Sequence, residues 1–219
     1  MEARWGGEKE FVSLKVVLLE TRPMAKVQKT SETPNPLAIR FHMDCKVVAS
    51  GSRSYPDVES AQADRTAAKL FEIPHVTSVF YVGTTVTVNK DEEGDWNDIL
   101  TPVADVLEET IISAEEPAPD EGDFDPHAAG AGIQRPEDFF KLTLEDQIGH
   151  INKIFDEMVR PGLAGDGGGL ELLGIDGAEV RIHYEGACGS CPSSTSGTLM
   201  YIEGALQKKA HPELTVTAG

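Results

Sequence analysis

The sequence predicts an α/β (α+β) chain of two small domains, each a small sheet with helices packed on it, joined by an acidic flexible linker. Three observations carry this. The chain has 219 residues, long for one small domain and comfortable for two cores of about 100 residues each. Strand-like and helix-like periodicities alternate in two blocks, residues 31–113 and 143–219. Between them, residues 114–142 break every pattern, and residues 1–30 are set apart as an N-terminal extension.

Within the extension, Phe11 to Leu19 is apolar and β-branched enough to read as a strand. Thr33-Pro34-Asn35-Pro36 is turn chemistry, since each proline fixes φ and removes a donor. Strands are then expected at Ala38 to Met43 and at Lys46 to Ala49. From Asp57 to Ile73, Ala63, Ala67, Leu70 and Phe71 recur at helical spacing until Pro74 stops the pattern. Val76 to Val82 and Thr84 to Asn89 alternate around Gly83 as a hairpin. Trp96, Ile99, Leu100, Val103, Val106, Leu107 and Ile111 make a second helical stripe, and Pro102 inside it predicts an irregular first turn.

The linker carries eight acids against Arg135 and Lys141, and like charges in a flexible segment repel. It is therefore expected to be extended and to let the domains move independently. Thr143 is placed to cap a helix whose apolar face runs from Leu144 to Val159 and which is expected to end at Arg160-Pro161. Asp166-Gly167-Gly168-Gly169 is a turn suited to positive φ, and Leu170 to Leu173 with Ala178 to Tyr184 is a hairpin around Asp176-Gly177. A helix from Ser193 to Lys209 and a strand from Leu214 to Thr217 complete the chain.

Composition excludes some functions. A formal charge of −18 lacks the basic footprint that nucleic acid or an anionic membrane surface requires. No run approaches the roughly 20 apolar residues that span a bilayer. Met1 to Glu10 carries three glutamates and neither a signal core nor an Arg-rich transit pattern, so a cytoplasmic location is expected. No Ser-His-Asp set, phosphate loop or pair of catalytic carboxylates stands out, and no catalytic turnover is expected.

The chemistry concentrates in Gly186-Ala187-Cys188-Gly189-Ser190-Cys191-Pro192-Ser193-Ser194-Thr195. Cys188 and Cys191, three positions apart, can bind one soft metal centre from a single turn, and a helix start just beyond them favours the thiolate form. Cys45, alone between Asp44 and Lys46, reads as a small strand residue. His183 lies five positions before Cys188 but reads as a surface histidine, and the remaining histidines show no ligand spacing. Asp166 is either a plain turn aspartate or a brace for the cysteine loop, while Trp96 and Phe80 read as core.

Two stretches together resemble one family, the NifU-like (Nfu-type) iron-sulfur cluster scaffold and carrier proteins. The second domain is similar to the NifU C-terminal domain through Val159-Arg160-Pro161, Gly165-Asp166-Gly167-Gly168 and the cysteine string above. The first resembles the family's N-terminal domain through Thr33-Pro34-Asn35-Pro36, Ala68 to Pro74, Val79-Phe80-Tyr81 and Asp95-Trp96. One departure is Gly169, where the family usually has an acidic residue. The resemblance implies an iron-sulfur cluster, usually [4Fe-4S], shared by two chains of a homodimer that each give Cys188 and Cys191. It implies apo iron-sulfur client proteins and cluster-assembly donor proteins as partners. Two other readings of the cysteine pair stand beside it: a thiol-disulfide oxidoreductase, and a dimer bridged by structural zinc.

Overall fold

The structure is a computed structural model that describes residues 24–111, 130, 132–189 and 195–219. The strand expected at residues 11–19, the centre of the linker, and Cys191 lie outside the described residues.

The first domain is an antiparallel sheet of five strands in the order β1 (Val27–Glu32), β2 (Ala38–Met43), β5 (Thr85–Lys90), β4 (Val76–Val82), β3 (Ser52–Tyr55). Strand β1 straddles the expected boundary at residue 30, so the domain takes in residues assigned to the extension. The β4–β5 hairpin turns through Gly83, whose φ of 55° suits glycine. The strand expected at Lys46 to Ala49 is not one. Val47 and Val48 bond their N–H groups to the Gly83 carbonyl, and Val48 is buried in the core, so tertiary burial produced the β-branched signal.

The helix expected from Asp57 to Ile73 is two helices, α1 (Val58–Ala61) and α2 (Arg65–Phe71). Asp57 and Asp64 each accept a backbone N–H as N-caps, and Asp64 restarts the helix. Helix α3 (Trp96–Thr110) runs unbroken through Pro102. The expected irregularity is absent because Pro102 and Asp98, four residues before it, are both exposed, so the carbonyl the proline leaves unpaired faces water. These helices cover one sheet face, where Phe41, Val79, Tyr81, Val86 and Val88 meet Leu70, Ile99, Val103 and Leu107.

The second domain has a three-stranded sheet, β6 (Gly168–Asp176), β7 (Glu179–Gly186) and β8 (Thr215–Ala218), with β7–β8 parallel. Helix α4 (Leu144–Ile154) is capped by Thr143, passes through a π-helical turn at Phe155–Val159 and continues as α5 (Arg160–Gly165). The expected stop at Pro161 is thus overridden. The π turn shifts the register, and Pro161 sits at the start of α5, where a missing N–H is tolerated. Helix α6 (Thr195–Lys209) packs Ile202, Ala205 and Leu206 into the core. That core also takes Ile133 and Phe139, the latter in a 3₁₀ turn at Phe139–Lys141. The end of the expected linker therefore belongs to the second domain.

The two domains are also in contact with each other. The sheet face of the first domain that its helices leave uncovered carries Arg40, Thr87 and Phe80 side by side across β2, β5 and β4. This face lies against the glycine turn and the cysteine loop of the second domain. Phe80 is 1% exposed yet belongs to neither core, so its burial is interdomain.

Candidate cysteine site

Strand β7 ends at Gly186 with φ 62°, a turn that delivers Cys188 next to the start of β6. The turn is tied down by the Ala187 N–H donating to the Gly167 carbonyl at 3.1 Å and the Gly189 N–H to the Gly186 carbonyl at 3.1 Å. Cys188 is half-buried, and its sulfur sits over Gly168: a Cβ added there would stand 2.4 Å from Sγ and 3.0 Å from the Glu185 carbonyl oxygen. Only glycine fits. The expected brace is therefore the backbone of Gly167 rather than the side chain of Asp166, whose residue closes α5 and borders a small hollow beside Cys188.

Arg160, in the segment that resembled the family, holds this platform from behind. Its guanidinium bonds Asp156 at 2.7 Å and Asn152 at 3.0 Å, reaches the Leu170 carbonyl, and lies over the Phe155 ring at 5.6 Å. It ties the π turn to the start of β6. Beneath the loop, burial and then the negative charge at Cys188 push the Tyr184 hydroxyl up to about 12, so it stays protonated at neutral pH. The Glu185 carboxyl is also raised, first by burial and then by Glu171 nearby.

The other expected residues lie apart from the loop. Cys45 is fully buried in the first core. His183 is exposed on β7 and hydrogen-bonded to the Gly219 carbonyl at 2.8 Å. Trp96 packs half-buried on the first core and donates to the Pro36 carbonyl at 3.1 Å. Among the described residues no group of three or more His, Cys, Asp or Glu comes together as a metal site.

Sequence reasoning missed what the first domain adds. Asn35, 3% exposed, donates from Nδ2 to the Ala187 carbonyl at 2.9 Å, while its Oδ1 accepts the Leu37 N–H at 3.0 Å. Arg40 donates to the carbonyls of Ala164, at 3.2 Å, and Gly165, which end α5; the Ala164 carbonyl also accepts the Gly167 N–H at 3.0 Å. Phe80 fills the space above Gly169 and Gly186, where an added Cβ would lie 2.7 Å and 2.9 Å from its ring. The signal for Asn35 was its place between two prolines, which fixes the turn that aims it.

The two halves of this geometry match two family models: "Scaffold protein Nfu/NifU N terminal" over residues 27–114 and "NifU-like domain" over residues 151–217. The nitrogen fixation protein NifU of Anabaena sp. (strain L31) is 47% identical over 77 residues, covering 35% of this chain and 69% of that protein. The chain belongs to the NifU-like family. NifU-like protein 4, mitochondrial, of Arabidopsis thaliana is 29% identical over 81% of this chain and 60% of that relative. The Drosophila virilis protein named NFU1 iron-sulfur cluster scaffold homolog, mitochondrial, is 27% identical over 76% of this chain and 52% of its own length. The chain thus spans between about half and two thirds of these NifU-like relatives. Among solved structures, Staphylococcus aureus protein SAV1430 is 25% identical, with 38% of this chain and 99% of that one covered at a TM-score of 0.35.

The expectation of a cytoplasmic location is overturned, because the relatives that match across most of this NifU-like chain are named as mitochondrial. Its basis, the acidity of Met1 to Glu10, describes ten residues and does not report a compartment. Among the described residues no helix is long and apolar enough to cross a membrane.

Proposed function

We propose that this NifU-like chain carries an iron-sulfur cluster as cargo, holding a labile [4Fe-4S] unit between two copies of itself and passing it to apo client proteins. Cys188 and Cys191 of each chain supply the four thiolates that such a cluster normally takes, and a two-fold axis is the simplest way to bring them together. The observation that carries the reading is the seat of Cys188. Cys188 is half-buried on a turn anchored through Gly167, with its sulfur seated over Gly168 where a side chain would displace it.

A site on exposed loops between two subunits suits delivery. Each transfer step exchanges one iron–thiolate bond to Cys188 or Cys191 for one to a client thiolate, with no change in electron count. The chain acts as a carrier in this reading, with donor proteins supplying the cluster.

Anaerobic reconstitution with iron and sulfide tests it. The expected result is about two irons and two sulfides per chain, visible absorbance and a shift to dimer, all lost in Cys188→Ser and kept in Cys45→Ser. A colourless dimer holding zinc, or a protein that binds no iron and cycles Cys188 and Cys191 between thiol and disulfide, overturns it.

A further inference from the structure

We propose that the first domain is a reversible cap on the cysteine loop, seated by Phe80, Asn35 and Arg40, and that it lifts before a cluster is taken up or handed on. The proposal rests on the reading of Cys188 as a cluster ligand.

The cap is built across two sequence-distant surfaces that fit each other. Phe80 projects from the polar sheet face onto Gly169 and Gly186, and the Arg40 side chain lies over Gly167, where an added Cβ would meet it at 2.8 Å. Three glycines thus make a flat floor on which Phe80 and Arg40 of the first domain rest. At Gly169 the backbone is ordinary strand with no positive φ, so chain geometry does not require glycine there; the Phe80 ring does.

The seat is closed to cargo. The hollow between Pro34 and Asn35 on one side and Leu163, Asp166 and Cys188 on the other is about 40 Å³. A hollow of that size takes only a few waters, so four irons and four sulfides have no room on this side of Cys188. Asn35 holds the carbonyl of the residue just before that cysteine, which ties the cap to the ligand turn itself.

The seat is also made to open. It joins a polar sheet face to a glycine turn rather than two apolar cores. The Thr87 hydroxyl is buried against Gly167 with no hydrogen-bond partner among the described residues, a cost that opening to water recovers. Beside the seat lies a cleft of about 690 Å³ between Lys46, Ser52 and Phe80 of one domain and Arg160, Gly168 and Glu185 of the other, so water already reaches the edge of the contact.

The test uses the full-length apo protein carrying Cys191→Ser, in which Cys188 and the fully buried Cys45 are the remaining cysteines. The rate at which a disulfide reagent modifies Cys188 reports lifting of the cap, independently of iron. Phe80→Ala removes a side chain that belongs to neither core, and Asn35→Asp keeps the acceptor for Leu37 while placing a carboxylate oxygen against the Ala187 carbonyl. Each is expected to raise the rate about tenfold. Gly169→Gln attacks the same seat from the second domain and serves if Phe80→Ala misfolds. Unchanged rates in the folded variants overturn the cap. With both cysteines restored, the variants are expected to load iron and sulfide faster to the same final stoichiometry. Slower or incomplete loading would also overturn the cap, since the contact would then position the loop rather than cover it. Failure of the carrier reading shows separately, as loss of cluster binding in the unaltered protein.

Discussion

The side-chain amide of Asn35 donates to the carbonyl of Ala187 across 152 positions of sequence, at 2.9 Å and out of contact with solvent. The acceptor belongs to the peptide that joins Ala187 to Cys188. A residue of one domain is therefore bonded directly to the backbone that leads to the thiol of the other. Because the bond is buried, water does not replace it when it breaks in place, and separation of the domains is the way both groups become solvated.

Gly168 is the position where the site tolerates least. An alanine methyl would lie 2.4 Å from Cys188 Sγ and 3.1 Å from its Cβ, and the Glu185 carbonyl blocks the alternative at 3.0 Å. Gly168→Ala is expected to cost about 1–3 kcal/mol through overpacking and to remove most reconstituted iron. Gly204→Ala is the control: it is exposed in helix α6 with nothing within 4 Å of the added methyl, and it should stabilise by roughly 0.5–1 kcal/mol. Thermal melts and iron counts on the two variants decide this. Equal iron in both would mean that Cys188 does not need the space.

The chain boundaries give the second prediction. Phe139 and Ile133 sit in the second core at 0% and 4% exposure, although both lie in the stretch whose composition reads as linker. Phe139→Ala should cost about 3–5 kcal/mol, as for other fully buried aromatic residues. A second domain cut at residue 143 should melt well below one cut at residue 130. Equal melting temperatures for the two fragments would place Phe139 outside the cooperative unit.

These cases show what was legible in the sequence. Strands β2, β4, β5, β6, β7 and β8 and helices α3, α4 and α6 were readable because period-2 and period-3.6 patterns ran long enough to separate them, with Thr143 as a cap, whereas the mostly polar β1 and β3 carried no such pattern. The cysteine string was legible because two thiols in a glycine-rich turn have few other uses. Phe139 was not, since one aromatic among acids and alanines has no periodicity. Nor was the restart of a helix at Asp64: Ala63 completes a helical spacing with Ala67, Leu70 and Phe71, yet it is exposed, and Ala61 is the buried residue before the break. The interdomain seat was illegible for a different reason. Arg40, Thr87 and Phe80 alternate with core residues just as solvent-facing strand positions do, and only the tertiary arrangement reveals that another domain covers them.

Glu185 yields a pH dependence with a definite sign. Its carboxylate accepts from Ser52 of the first domain at 3.3 Å, but burial, and then Glu171 close by, raise its pKa above the ordinary value. The folded protein therefore holds this proton more tightly than the unfolded chain does. Stability from this group falls as pH rises from the ordinary glutamate value, about 4.3, through the raised one, and above both the penalty is constant. At neutral pH the charged side chain is a net cost, small because the group is partly exposed and screened by solvent. Glu185→Gln keeps an oxygen for Ser52 and removes the charge, so it should melt higher than the parent protein at pH 7. Comparing the variant with the parent cancels the other carboxylates, whose titration both share. The gap should close as pH is lowered toward 4, measured by paired calorimetric scans across that range. A variant less stable than the parent at pH 7 would mean that the Ser52 bond to the charged form outweighs the cost of burying it.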